Sequence, residues 1–348
     1  MSSSPHAPTT TDAPAAREPR IGPRGRRALR IGVALAVLGL CVYAARRLDL
    51  SGAWRVVRRA RPGWLALAAL LNFPFALIQS ARWRVLLGPA GKVPLLSLFR
   101  YLLASRAASN LLPARAGELV RIYLPRSRDG ISAVSGGTAL VIEKLFDALV
   151  LVMISVPLLW LLRMPSLVRG GLITLFAGCL AGFAVAALFA IRGGRRRTSI
   201  LDRIAQAAES LRSPSAVLAV LGLTTLGWFG EMGMIASCLT SVGVHATLTM
   251  AMLILLVNNL GMALQVTPAN VGPFEGSVLL ALAAFDVTGA PALAMAVVYH
   301  LVQFVPSTLA GLEGLRFVGE ARRARLRDEA PTPSAPPAPA PDPRADPG

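Results

Sequence analysis

Thr267–Gly276 reads T-P-A-N-V-G-P-F-E-G and lies between two apolar runs, Leu248–Val266 and Ser277–Phe285. Pro268, Gly272 and Pro273 break helices and free backbone groups. At membrane depth, backbone of this kind survives only where protein or a wet cavity covers it. Local composition alone fits an interfacial Pro-Gly loop somewhat better. The rest of the chain shifts that reading toward a broken helix with a carboxylate, Glu275, inside the break.

The chain has 348 residues, of which 54% are hydrophobic and 16% charged, with a mean hydropathy of +0.57. A soluble domain carries about 25% charged residues. Several apolar runs approach the roughly 20 residues that span hydrocarbon. The fold class is therefore all-α: a polytopic integral membrane helical bundle of about eight transmembrane helices. Segments 95–118 and 267–285 read as re-entrant or broken. The net charge of +18 falls in the segments between apolar runs, where positive-inside topology and anionic headgroups account for it. No basic module interleaved with aromatics points to nucleic acid. The preponderance of Arg over Lys, with abundant Ala, matches the bias of a GC-rich bacterial source.

Residues 1–29 form a basic, Ser/Pro/Ala-rich tail, 30–318 the membrane domain, and 319–348 a Pro/Ala-rich tail; both tails read as disordered. Ile31–Ala45 is expected to be an uncleaved first helix. Asp49–Pro62 reads as an amphipathic interfacial helix. Gly63–Ser80, Gly137–Leu162, Gly171–Ile191, Pro214–Thr240, Leu248–Val266 and Ala290–Leu312 are expected to span. Arg82–Asp129 is assigned to a segment that begins and ends in the cytoplasm, within which Leu95–Leu112 either dips into the membrane or crosses it. Arg192–Arg212 is expected to be a surface helix. Both termini are expected in the cytoplasm, and the membrane is the cell inner membrane. Trp64, Trp83 and Trp160 read as interfacial anchors.

Pro113–Glu118, P-A-R-A-G-E, echoes Pro268–Glu275, P-A-N-V-G-P-F-E, as transporter halves with broken helices do. The helix breaks are thus Pro113, Gly117, Pro268, Gly272 and Pro273. Ionisable residues in spanning helices cost at least about 2.5–3.5 kcal/mol on insertion scales, so each needs a partner or a role. Glu143 and Asp147, four apart, share a helical face and repel unless a cation, a proton or water intervenes. Arg115 and Arg121 offer guanidinium forks. The alternatives for this set are a structural ion network and a working site. Glu231 reads first as one hydrogen-bonded acid at a Gly-rich helix contact. Asn258 and Asn259 read first as interhelical glue, and His300 as a satisfied core histidine. Cys41, Cys179 and Cys238 lack redox or metal spacing, and no metal or cofactor motif occurs.

Three blocks in order resemble the lysylphosphatidylglycerol synthase transmembrane region, a flippase-like membrane domain family: Leu111–Arg121 (L-L-P-A-R-A-G-E-L-V-R), Ala139–Asp147 (A-L-V-I-E-K-L-F-D) and Thr267–Glu275. Lys144 stands where the family usually has Arg, and Ala269-Asn270 where it commonly has Gly-Gly. The resemblance implies a protein that binds polar or phosphorylated lipid headgroups and moves lipid between leaflets, not an enzyme. Arg115 and Arg121 would hold the anion, and Glu118, Glu143, Asp147 and Glu275 would line the cavity, balance those cations or bind a cationic part of the headgroup. The expected partners are anionic or glycosylated membrane lipids, with no nucleic acid. The alternative is a non-transporting scaffold for a lipid- or polysaccharide-modifying membrane enzyme. The family's full-length synthases also carry a soluble aminoacyl-transferase domain. No segment after Val318 could fold into one, so aminoacylation is not expected.

Overall fold

The computed structural model describes residues 49–88, 93–112, 116–162, short stretches between 170 and 184, 213–262 and 267–328. Expectations for Ile31–Ala45, for most of Gly171–Ile191, for Arg192–Arg212, for Pro113 and Arg115, and for residues 1–29 and 329–348 lie outside them. Among the described residues every regular element is helical.

Asp49 caps α1 (Leu50–Arg58), its carboxylate accepting the Gly52 N–H at 2.7 Å. Trp54 projects outward from this Arg-rich helix. Pro62 supplies the first turn of α2 (Pro62–Leu87). α2 runs past Ser80, where the apolar reading ended it, because Gln79, Arg82, Trp83 and Leu86 continue one helical face. Arg82, assigned from the sequence to the cytoplasmic segment, is instead buried, with 3% exposure.

Next comes α3 (Leu95–Leu111), about 25 Å long at 1.5 Å per residue, short of the roughly 30 Å hydrocarbon thickness. The chain then folds back as α4 (Ala116–Asp129). Ser105 Oγ donates to the Gly117 carbonyl at 2.8 Å, and Tyr101 OH to Asp129 at 3.0 Å. Any side chain on Gly117 would run into the Ser105 carbonyl, so only glycine permits this approach.

Ser132 caps α5 (Ala133–Ser155), which carries Glu143, Lys144 and Asp147; the short α6 (Leu158–Leu161) follows. Then come α7 (Pro214–Ser241), α8 (Leu248–Met262), a 3-10 turn at Pro268–Asn270, α9 (Pro273–Ala283) and α10 (Gly289–Asp328). α10 continues beyond Val318, where the sequence placed the end of the membrane domain. α8 and α9 form a second hairpin in which Gly261 abuts the Ser277 hydroxyl.

By length and composition α2, α7 and the Gly289–Arg316 part of α10 can cross a membrane. Their outward faces bear exposed Leu70, Leu218, Leu226 and Leu309, a surface suited to lipid. The chain is a polytopic all-helical membrane protein. α10 packs backbone to backbone on α3: a methyl on Gly314 would come 2.7 Å from Ala104 Cβ and 3.1 Å from the Arg100 carbonyl. Pro306 lacks the N–H that would bond Val302 four residues back. Asn72 of α2 supplies the missing donor to that carbonyl at 2.9 Å.

Candidate functional site

An ion quartet ties α2, α4 and α5 together. Arg121 forks onto Glu143, Nη1 to Oε1 at 2.9 Å and Nη2 to Oε2 at 2.7 Å. Arg82 reaches Glu143 at 3.0 Å and forks onto Asp147 at 2.5 and 3.3 Å. Its Nη1 also donates to Thr224 of α7 at 3.0 Å. The Arg121 guanidinium lies 4.4 Å from the Trp83 ring centre. Trp83 is therefore fully buried and not an interfacial anchor, whereas Trp64 and Trp160 are exposed. Glu143 and Asp147 do share a face and do take cations. The second cation is Arg82, not Arg115, which lies outside the described residues.

This arrangement corrects the role given to Arg121. Its guanidinium is 6% exposed and committed to Glu143, so it is not open to a headgroup. The quartet carries two positive and two negative groups, which is what makes its burial affordable.

Two cavities open beside it. The larger, about 430 Å³, is lined by Arg82, Asp147, Lys144, Glu118, Thr224 and Asn259, among others. Lys144 is exposed, standing free of the quartet's forks. Asn259 donates to its own helix at Leu255. The smaller, about 190 Å³, is lined by Arg106, Asn110, Asn270, His300 and Gln303, among others. Phe75, Glu231 and Met262 line both and so partition them. Glu231 Oε1 accepts from Tyr299 OH at 2.9 Å and Gln303 Nε2 at 3.0 Å. Asn258 is buried with its Oδ1 unpaired.

Glu275 does something other than line a cavity. As the third residue of α9 it reaches back to the Gly272 N–H at 2.7 Å, closing the helix start. Its other oxygen meets His300 Nδ1 at 2.5 Å, while His300 Nε2 meets the Ala269 carbonyl at 2.9 Å. A carbonyl only accepts, so Nε2 donates, and a single proton lies between Nδ1 and the carboxylate. The ring stacks on Phe274 at 4.4 Å. His300 thus clasps both ends of the break. Glu275 and Gly272 do not share a described cavity with Glu118; Glu118 belongs to the larger one and His300 to the smaller.

The break is strained where the resemblance flagged a departure. Ala269 has φ 55° and Asn270 φ 57°, a left-handed backbone that glycine takes freely. Gly272 sits at φ 97° as the residue before α9, and Pro273 opens the helix. Pro268 begins the 3-10 turn. The residues that sequence reasoning missed are Arg82, Arg106, Thr224, Asn270 and Tyr299. For Arg82 the available signal was its place on the Gln79–Trp83–Leu86 face.

The family described as the lysylphosphatidylglycerol synthase TM region matches residues 28–311. Glycosyltransferase AglD of Haloferax volcanii is 24% identical over an alignment of 343 residues that takes in 84% of this chain and 55% of that protein. The chain thus spans about half the length of that curated relative. With its three sequence blocks in order and the matched region covering most of its length, the chain belongs to the lysylphosphatidylglycerol synthase TM region family.

Proposed function

We propose that this protein binds the polar or phosphorylated headgroup of a membrane lipid and carries it between leaflets of the cell inner membrane, with both termini in the cytoplasm. The observation that carries this reading is the larger cavity. It sets Lys144, Glu118 and one face of the buried ion quartet among helices whose outer surfaces are apolar. A headgroup crosses hydrocarbon only if protein groups replace its water. Lys144 supplies the mobile cation for an anionic group, and the quartet holds the wall rigid around it. The lipid is anionic or glycosylated, and the protein performs no covalent chemistry on it.

The test is translocation of headgroup-labelled phosphatidylglycerol in proteoliposomes. Lys144→Gln should slow it about tenfold, the loss of one charge-assisted contact. A wild-type rate no faster than empty vesicles would remove translocation. A Lys144→Gln rate equal to wild type would remove this cavity wall from the mechanism.

A second reading is favoured by the relative's length. Only 55% of Glycosyltransferase AglD aligns, so a comparable membrane region is there part of a longer protein named for glycosyl transfer. On that reading the chain is a membrane scaffold for a separate lipid- or polysaccharide-modifying enzyme. Copurification of such an enzyme, with no transport by the protein alone, would select it.

A further inference from the structure

Arg106 is the cation that the quartet does not explain. It sits on α3, in the wall of the smaller cavity. Its Nη2 donates to the neutral Gln79 amide at 2.9 Å, and its guanidinium lies 5.1 Å from the Phe75 ring centre. Among the described residues no carboxylate lies within ion-pair distance of it. Glu231, the carboxylate of the same cavity, accepts from Tyr299 and Gln303 and makes no direct ion pair with Arg106. Asn270 faces this cavity too. It is 7% exposed, and its Oδ1 accepts no hydrogen bond. A guanidinium without a direct ion pair and a buried acceptor without a donor thus line the same space. Both are costly when buried unless a ligand completes them.

We propose that the smaller cavity is a second binding station, in which Arg106 binds the phosphate of a phosphate ester and Asn270 Oδ1 accepts a hydroxyl or amine hydrogen from the same ligand. Phe75 stands between the stations. Its ring lies near both Arg106 and Gly227, where a methyl would come 3.3 Å from it. A headgroup passing from Lys144 to Arg106 displaces this ring. The inference rests on the lipid-headgroup reading above, and it adds a stoichiometry that the reading does not require.

The test counts bound lipid. The full chain in nanodiscs of phosphatidylcholine, with phosphatidylglycerol titrated in, is ejected and weighed by native mass spectrometry. A parallel titration uses soluble sn-glycerol 1-phosphate, to separate a lipid ligand from a free solute. Two tightly retained phosphatidylglycerols are expected for wild type. One is expected for Arg106→Gln, with the Kd of that step raised about tenfold, and a second should return in Arg106→Lys. Lys144→Gln should also retain one. Two lipids on an Arg106→Gln protein that melts like wild type would overturn the second station and leave the headgroup reading standing. Wild type that neither retains phosphatidylglycerol nor binds glycerol phosphate would overturn both. Binding of soluble glycerol phosphate but not of the lipid would keep the station and make its ligand a solute.

Discussion

Asn72 Nδ2 donates at 2.9 Å to the Val302 carbonyl, the group that Pro306 leaves without a partner in its own helix. A proline-broken helix in α10 is thus repaired from α2, at the edge of the smaller cavity that Asn72 also lines. Asn72→Ala should leave the carbonyl unpaired and cost about 1–3 kcal/mol. Asn72→Ala combined with Pro306→Ala should recover part of that loss, because the restored N–H bonds Val302 directly. Thermal unfolding in detergent distinguishes the two.

The quartet makes a sharper demand. Arg121→Ala leaves Glu143 with one cation and should destabilise by about 3–5 kcal/mol. Replacing Arg121 and Glu143 together by methionine should cost much less than either methionine substitution alone. A double-mutant cycle read by unfolding midpoints measures the difference.

Ala269 should be better as glycine. Its left-handed φ of 55° costs an L-residue roughly 1–2 kcal/mol, so Ala269→Gly should raise stability by about 1 kcal/mol after the added freedom of the unfolded chain is subtracted. An unchanged or lowered melting temperature would show that the strain is absorbed elsewhere.

Acid should loosen α1. The Asp49 carboxyl is held below its ordinary range, first by the Gly52 N–H, then by Ser51, with burial opposing and Arg55 adding a smaller pull. A lowered folded value means that the cap stabilises fully above the unfolded aspartate range, near pH 4, and is lost as pH falls through the folded value. The protection of the first-turn amides of α1, taken relative to their intrinsic exchange rate, should therefore fall in acid below that range. The Asp49→Asn variant, which still caps but does not titrate, should show no such step.

Much of the fold was readable because helix breakers carry their own physics. Pro273 opens α9 and Gly272 precedes it at positive φ, so Thr267–Gly276 had to interrupt whatever flanked it. Glu143 and Asp147 announced a cation by their spacing. Which cation was not written locally. Arg82 looked like the end of an apolar run, and only α5, some sixty residues on, makes its burial tolerable. Arg106 is the converse, since a basic residue in the sequence gives no sign that its carboxylate is missing. His300 and Gln303, three apart on α10, serve different acids, Glu275 and Glu231.

The backbone contact of α10 on α3 has a mechanical consequence. Beside Gly314, Gly311 is so close to Leu103 that any side chain there would meet the Leu103 carbonyl, and its methyl would come 2.7 Å from Ala107 Cβ. Helices slide past one another on a lubricating layer of side chains that can change rotamer. Here that layer is missing, so α3 and α10 travel as one strut. Any alternation of access must be taken up at the joints, and one joint among the described residues is clasped by His300, from Ala269 to Glu275.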